Sequence, residues 1–376
     1  MPKYLLPKNP LAVALSIIAF AVAFSGFRHT ELGALALSIP FSLNSFVAGG
    51  RSTMVYEIGL INNLSNVIRI TDLIVKNEKD QILETLTPAE LEKAFQSEDT
   101  LQASALSLSS GGQGVIYLEI VLDNNQLPQS LNHTIISTDL LTGKIFTDHV
   151  SNEVHQKSAL VLGAPLQTGI WAAIYNPEWP RGHRRVIYKT GGIDRIPGRF
   201  AIDFMKLDDE GHYAKGDENV IANWYGYGAD VLAVADGVVA STRDDFKESK
   251  TISDHPEYPA EKATGNYISI KIDDRHYAFY EHLKPKSILV KKGQAIKKGQ
   301  VIAKLGFTGQ TTGPHLHLHI ADSDSPLGAE GLPFAFKEFK LEGTYPDFTV
   351  FGTQRWTDSN KVVTNEHPQS NSVIRF

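Results

Sequence analysis

No cysteine occurs among the 376 residues of the chain. Disulfide bonds, thiolate ligands for zinc, iron–sulfur clusters and thiol catalysis are therefore excluded, and any metal must be bound by His, Asp or Glu. An excess of positive charge is also missing, since 36 Lys and Arg stand against 42 Asp and Glu and the net charge is −6. A general nucleic-acid binder needs a basic field to neutralise phosphates. We therefore expect no nucleic-acid partner.

One long apolar segment is present, and it lies near the N-terminus at residues 11–27. Lys3 and Lys8 precede it, and residues 21–23 (Ala-Val-Ala) offer a small-x-small cleavage site, which is the pattern of a secretory signal peptide. Its 17 residues are also at the lower limit for crossing a bilayer, so an uncleaved N-terminal anchor is the alternative. Either interpretation predicts an exported protein, and an exported chain without cysteine suits the periplasm or cell envelope of a bacterium.

Residues 28–165 have the pattern of short β-strands. Segments such as GQGVIYLEIVLDNN alternate apolar and polar residues and are separated by Gly, Asn, Ser and Asp clusters, which favours an antiparallel β-sandwich. One short helix is predicted in TPAELEKAF, where Thr87 is the N-cap and Glu90 completes a capping box. Because the region has no cluster of His and carboxylates, we expect an accessory domain that acts as a spacer or binding module.

Residues 170–350 are predicted to form a second β domain. Two hairpins are indicated, GADVLAVADGVVAS and then ILVKKGQAIKKGQVIAKLGFTGQ, with Gly293 and Gly299 in turns of the second. The polar residues 351–376 are expected to form a frayed C-terminal tail.

Histidines and one carboxylate supply the chemical signal of this second domain. In TGPHLHLHI, a strand would direct His315, His317 and His319 to one face, because side chains alternate with period two. Imidazoles spaced in this way on a rigid sheet can bind one zinc ion. Asp203 lies between apolar residues in GRFAIDFMKLD, where a carboxylate is costly unless it is paired or binds a metal. His282 ends the strand of RHYAFYEHL and on its own would be read as a packing residue.

In their order, AIDF, GADVLAVADGVV, YEHL, VKKGQAIKKGQVIAKLGFTG and TGPHLHLHI resemble the lysostaphin-type (LytM-like) zinc metalloendopeptidases, which cut peptide cross-links of peptidoglycan. The resemblance covers about residues 180–340 and is most specific between residues 280 and 320. It implies an antiparallel sheet of the duplicated hybrid motif type with a groove above the zinc ion. The whole chain is then expected to be all-β, a sandwich-like domain followed by a peptidase domain.

The resemblance also implies roles for four residues. Asp203 and His317 match zinc ligands, while His315 and His282 match the two histidines that flank the reacting groups. His315 is expected to act as the general base and His282 to donate a hydrogen bond to the developing oxyanion. Zinc would make the water nucleophilic and polarise the scissile carbonyl.

The sequence departs from the family at the first ligand, a His four residues before the aspartate, where this chain has Arg199. A guanidinium is always protonated and cannot bind zinc. His183 could supply the missing ligand, and His319 is a second candidate. With either substitute, Arg199 would be free to bind substrate carboxylates through its planar fork of donors. The third possibility is a degenerate site with Arg199 inside the metal cavity.

Two functions follow from these alternatives. The first is a zinc-dependent endopeptidase that hydrolyses peptidoglycan cross-links during cell-wall remodelling. The second is a catalytically degenerate relative that binds the cell wall or regulates a partner amidase. A chelator should remove metal and activity together in the first case, and should leave association with the wall or partner unchanged in the second.

Overall fold

The computed structural model describes residues 33–41, 43–97, 106–123, 126–176, 179, 183–190 and 192–376. The predicted signal segment or anchor at residues 1–27 lies outside these ranges. Within them, no helix has the length and apolar character needed to cross a membrane. The predicted all-β fold is confirmed, because the described residues form strands joined by turns and short 3₁₀ helices, with a single α-helix, α1 (Pro88–Ala94).

Among the described residues up to Glu153, ten strands build the N-terminal part of the chain. They are β1 (Leu35–Ser38), β2 (Ser45–Ala48), β3 (Arg51–Asn62), β4 (Ile68–Asn77), β5 (Ile82–Leu86), β6 (Phe95–Ser97), β7 (Ser107–Leu108), β8 (Gln113–Leu122), β9 (Ser130–Asp139) and β10 (Ile145–Glu153). One antiparallel sheet has the order β1-β3-β8-β6 with β2 beside β3, and the other has the order β10-β9-β4-β5 with β7 beside β4. Ile58 and Ile116 of the first sheet share one core with Ile70 and Ile135 of the second. The two sheets therefore form a β-sandwich.

Helix α1 begins where its sequence predicts. The backbone N–H of Thr87 donates to Glu90 Oε2 at 2.8 Å, and the capping box is complete. Pro88 occupies the first helical turn, where the missing N–H has no intrahelical partner to lose. Leu91 is buried against the sandwich core and fixes the helix on it.

Sixteen further strands follow in the described part of the chain. They are β11 (Leu160–Leu162), β12 (Ile170–Ile174), β13 (Tyr188–Thr190), β14 (Ile193–Arg195), β15 (Ile202–Leu207), β16 (Asp230–Leu232), β17 (Gly237–Arg243), β18 (Tyr267–Asp273), β19 (His276–Glu281), β20 (Ala295–Ile296), β21 (Val301–Lys304), β22 (Leu316–Ala321), β23 (Gly331–Leu332), β24 (Phe334–Thr344), β25 (Thr357–Glu366) and β26 (Ser372–Arg375). The main sheet has the order β11-β24-β26-β12-β15-β22-β19-β18-β17-β20, with β23 beside β22 and β25 beside β24. Its neighbouring strands are antiparallel except for β11 and β24.

The glycine turns lie where they are predicted, but the strands beside them have other partners. Gly293 and Gly299 have φ of 82° and 80°, a conformation that glycine adopts without steric penalty. However, β16 pairs with β21 and β17 pairs with β20, so neither segment closes on itself as a hairpin. The two segments interlock instead, each supplying one strand to the small β16-β21 sheet and one to the main sheet.

The expectation of a frayed C-terminal tail is wrong. β25 pairs with β24, and β26 lies inside the main sheet between β24 and β12. Val373 and Ile374 are fully buried, because a strand in the interior of a sheet is covered by the layers on both faces. The apolar run of only a few residues is too short to be recognised as a core strand from its sequence.

The sandwich and the main sheet are packed against each other. Phe46 of β2 and Val55 of β3 belong to the hydrophobic core of the main sheet. The N–H of His367 donates to the carbonyl of Val47 at 2.8 Å, and the ring of Phe46 lies 5.0 Å from the His367 ring. The sandwich therefore contributes directly to the body that carries the site described below.

Candidate metal centre

Three neighbouring strands place the candidate ligands in one row. β22 lies between β15 and β19, and His317 is opposite Asp203 on one side and Glu281 on the other. Directly opposed residues of antiparallel strands project to the same face of the sheet. Asp203, His317 and Glu281 therefore share one face, with His315 immediately before β22 and His282 immediately after β19.

A third donor joins Asp203 and His317 from outside the sheet. His183 belongs to the 3₁₀ helix His183–Arg185, and its Nε2 lies 2.9 Å from Asp203 Oδ2. On the other oxygen, His317 Nδ1 lies 2.9 Å from Asp203 Oδ1. The donor atoms of these three residues all lie within 4.8 Å of one another. The structure thus brings His183, of the two substitutes considered, to the two predicted ligands.

The protonation of this triad suits a metal cation. Burial would raise the pKa of the Asp203 carboxyl, but the charges of His183 and His315 outweigh it and hold the pKa well below its usual value. Burial lowers the pKa of His317, although Asp203 opposes the shift. A carboxylate together with two imidazole nitrogens is the donor set of a catalytic zinc site with three protein ligands.

His319 lies behind His317 instead of facing Asp203. Its Nδ1 is 3.1 Å from His317 Nε2 and 3.8 Å from Glu281 Oε1, and its ring stacks on Phe279 at 4.7 Å. Histidine ligands commonly bond through their outer nitrogen to a second residue, which fixes the ring and its tautomer. His319 therefore fits the role of a partner that orients His317 better than that of the missing ligand.

Glu281 is a member of the cluster that the sequence analysis did not single out. Burial raises the pKa of its carboxyl well above the usual value, and the negative charge of Asp203 adds to the shift. Glu281, His317 and His319 form a second group of donor atoms within 4.8 Å. The signal that could have identified Glu281 is its position beside His282, as a carboxylate on the inward side of an apolar strand.

His282 and His315 present the same ring atom to the site. His282 Nδ1 lies 2.8 Å from the carbonyl oxygen of Thr308, and His315 Nδ1 lies 2.8 Å from that of Gly313. A carbonyl only accepts hydrogen bonds, so each Nδ1 carries the proton and each Nε2 faces the centre. The two rings are 4.7 Å apart, and His315 Nε2 is 3.3 Å from Asp203 Oδ1. His282 also has φ of 61°, a left-handed conformation that side chains other than glycine rarely adopt.

The pKa values of these two histidines move in opposite directions. Burial lowers the pKa of His282 well below its usual value, and His315 and His317 add to the shift. Burial also acts to lower the pKa of His315, but the charge and hydrogen bond of Asp203 raise it overall. A neutral His282 with its proton on Nδ1 accepts hydrogen bonds at Nε2. Its predicted role as a donor to an oxyanion is not favoured by this geometry.

The cluster opens into a groove of about 320 Å³. Its walls combine aromatic, apolar and polar side chains, among them Trp179, Tyr188, Met205, Gln310 and Leu327. A peptide lying in this groove would pass directly over the His183–Asp203–His317 triad.

Arg199 lies outside the cluster, contrary to both roles considered for it. The residue is 8% exposed, and its Nε and Nη2 donate to Glu57 Oε2 at 2.9 and 2.7 Å. Its Nη1 donates to Glu330, and its guanidinium lies 4.5 Å from the centre of the Phe41 ring. These contacts use the fork of donors, so the predicted pairing with substrate carboxylates is corrected to a structural one. The metal cavity is likewise not filled by Arg199.

Comparisons with known proteins identify part of this chain. Residues 221–328 match the model of Peptidase family M23, a range that includes His282, His315, His317 and His319 but not Asp203 or His183. The match confirms the resemblance predicted from the motifs.

Two curated relatives are the peptidoglycan DD-endopeptidases ShyB and ShyA of Vibrio cholerae. ShyB is 46% identical over 65 residues, covering 17% of this chain and 15% of that protein. ShyA is 37% identical over 102 residues, covering 27% of this chain and 20% of that protein. The matched part of this chain thus spans a fifth or less of these relatives. Among solved structures, the catalytic domain of lysostaphin from Staphylococcus simulans aligns with 21% identity over 44% of this chain and 88% of that domain, with a TM-score of 0.22.

Proposed function

We propose that this chain, which carries a domain of Peptidase family M23 at residues 221–328, is a zinc-dependent endopeptidase that hydrolyses peptide cross-links of bacterial peptidoglycan. Residues 28–165 would be its accessory domain, and residues 170–350 its catalytic domain, completed by the strands of residues 351–376. The enzyme would be exported and act in cell-wall remodelling in the periplasm or envelope.

The observation that carries the proposal is the triad of His183, Asp203 and His317. Two imidazole nitrogens lie 2.9 Å from the two oxygens of one partly buried carboxylate, whose pKa is held well below its usual value. In this proposal the three residues hold one zinc ion, with His319 behind His317. When bound, zinc supplies a Lewis acid that polarises the peptide carbonyl and makes water acidic enough to be deprotonated near neutral pH.

The chain's own residues would then move the proton. His315 accepts a proton at Nε2 as the water oxygen forms its bond to the carbonyl carbon. As the carbon–nitrogen bond breaks, His315 delivers the same proton to the leaving amine. The raised pKa of His315 makes it the stronger base of the pair. His282 accepts a hydrogen bond from the attacking water at Nε2 and so orients it, in place of the donor role predicted from the sequence.

The proposed substrate rests on the curated relatives, which are named peptidoglycan DD-endopeptidases. The groove beside the cluster, with Trp179 and Tyr188 in its walls, suits an extended peptide.

Metal content and turnover, measured together, test the proposal. The purified chain should hold about one zinc ion, the number that one three-ligand site binds. Chelation should abolish digestion of peptidoglycan, and added zinc should restore it. The non-catalytic binder would be favoured if the supplemented protein held less than half an equivalent of zinc and if a chelator left its binding to the cell wall unchanged.

A further inference from the structure

We infer that Glu57 of the sandwich is a positioning residue for the metal centre, because it holds the segment that brings His183 to Asp203. The inference rests on the proposed zinc site. It assigns to the accessory domain a part in assembling that site, through a carboxylate that is not itself a ligand.

The segment that carries His183 is fastened to the sandwich. Arg184, the next residue, is buried, and its Nε donates to Glu57 Oε1 at 3.0 Å. Its Nη2 donates to the carbonyls of Tyr56, at 2.8 Å, and Leu118. Arg185 donates to the carbonyl of Lys93, also in the sandwich. His183 therefore projects toward the main sheet from a turn that the sandwich holds in place.

Glu57 is the charged partner in that attachment. It is 2% exposed and uses both oxygens, Oε1 for Arg184 and Oε2 for Arg199. Hydrogen bonds between ionised groups are shorter and stronger than neutral ones, and a bidentate carboxylate also fixes the direction of its partners. Removing one member of such a buried group leaves an uncompensated charge and is strongly destabilising.

The same carboxylate holds Arg199 away from the centre. Arg199 is four residues before Asp203 in the chain, and Glu57 and Glu330 together satisfy its guanidinium. A guanidinium released beside Asp203 would compete with a metal cation for the carboxylate. Because Glu330 also holds Arg199, the part specific to Glu57 is the positioning of His183 through Arg184.

A zinc titration against a competing chelator tests this role in the full chain. Glu57→Gln, which preserves shape and removes charge, should weaken zinc binding roughly 10–100-fold, the usual effect of losing a residue that orients a ligand. Glu330→Gln is the matched control, because Glu330 contacts Arg199 but its described contacts do not include Arg184. That variant should bind zinc within about threefold of wild type, as expected when Arg184 stays in place.

A double-substitution cycle separates positioning from general damage. If Glu57 acts through His183, adding Glu57→Gln to His183→Ala should weaken zinc binding no further, since coupled residues are not additive. In the metal-free protein, Glu57→Gln should also speed amide hydrogen exchange over residues 183–190. If Glu57→Gln does not fold, Arg184→Met tests the same interaction through the other partner. It keeps the length of the side chain and removes the donors to Glu57.

The possible outcomes distinguish this inference from the proposed function. Wild type that binds no zinc would overturn the proposed site, and this inference with it. If wild type and Glu57→Gln bind zinc equally tightly, the role of Glu57 is overturned and the proposed zinc site is not. The role of Glu57 would also be overturned if Glu57→Gln lowered zinc affinity by the same factor in wild type and in His183→Ala.

Discussion

At the scale of single residues, the centre depends on which ring nitrogen each histidine turns inward. Thr308 and Gly313 hold Nδ1 of His282 and His315 through backbone carbonyls and so direct Nε2 of both rings to the site. His317 is turned the other way, with Nδ1 toward Asp203 and Nε2 toward His319. His282 and His315 therefore share one ring orientation and His317 has the other, and this difference separates the proposed ligand from the two histidines proposed to act on the water.

Replacing the proposed base should separate catalysis from metal binding. We expect His315→Ala to retain zinc, because Asp203, His183 and His317 remain. Turnover of peptidoglycan should fall about 10²–10⁴-fold, the usual contribution of general acid–base catalysis. Metal analysis and a release assay on the same preparation check both parts. Wild-type turnover in this variant would remove His315 from the mechanism.

Zinc affinity should rank the two candidate third ligands. His183→Ala should weaken binding far more than His319→Ala, since the first removes a donor atom and the second removes only the partner of His317. Isothermal titration of zinc into both variants checks the order.

Arg199→His adds a control at the position where the family has a ligand. It should change zinc content little if His183 already completes the site. A variant that gains zinc where wild type has none would instead identify a degenerate centre.

At the scale of elements, the alternation of residues predicts which face of a strand is buried but not which strand lies beside it. The sequence therefore predicts the α1 capping box, the turns at Gly293 and Gly299, and a common face for His315, His317 and His319. It does not predict that β16 pairs with β21, because that partner is chosen by packing between distant segments. The sequence does not distinguish His183 from His319 as the third ligand, because that choice also depends on packing between distant segments. The contact of His183 with Asp203 depends on Glu57, more than a hundred residues earlier in the chain.

A close approach between two 3₁₀ helices offers a test at this scale. A Cβ on Gly198, in the helix Pro197–Phe200, would lie 2.9 Å from the carbonyl oxygen of His183 and 3.1 Å from its Cβ. We expect Gly198→Ala to displace His183 and to weaken zinc binding about tenfold, comparable to the loss of an orienting contact.

Gly169→Ala is the control for that substitution, because the atoms nearest to its added methyl would belong to the side chains of Trp171 and Lys206, at 3.2 Å or more. Equal zinc affinity in the Gly198 variant and wild type would show that the two helices separate without disturbing His183.

At the scale of the whole molecule, a buried histidine links the stability of the sandwich to pH. The Tyr56 hydroxyl donates to His133 Nε2 at 2.7 Å, and His133 Nδ1 donates to the carbonyl of Val150 at 3.1 Å. This bond joins β3 of one sheet to β9 of the other across the core. Burial lowers the pKa of His133 from 6.5 to about 4, so the neutral ring belongs to the folded state.

The sandwich should therefore lose stability on mild acidification. Between pH 6.5 and about 4 the unfolded chain binds a proton that folded His133 does not, so stability is complete above this window and falls as pH decreases through it. The expected loss is about 3 kcal/mol, since each pKa unit between the folded and unfolded values corresponds to about 1.4 kcal/mol. Urea-dependent hydrogen exchange of β3 and β9 amides measures it. His133→Gln should flatten the pH dependence, because it removes the buried imidazole and keeps a polar side chain in its place.

The position of β26 between β24 and β12 has a consequence for the order of events during biosynthesis. A chain made from its N-terminus can complete the sandwich while later residues are still being added, since domains generally fold as they emerge. The main sheet is incomplete until residues 372–375 have been synthesised, because they form the strand between β24 and β12. Asp203, His282 and His317 are synthesised long before them. A nascent or truncated chain would thus hold a folded sandwich and an incomplete main sheet. Stalled chains that end before residue 372 should show protected sandwich amides and no zinc uptake.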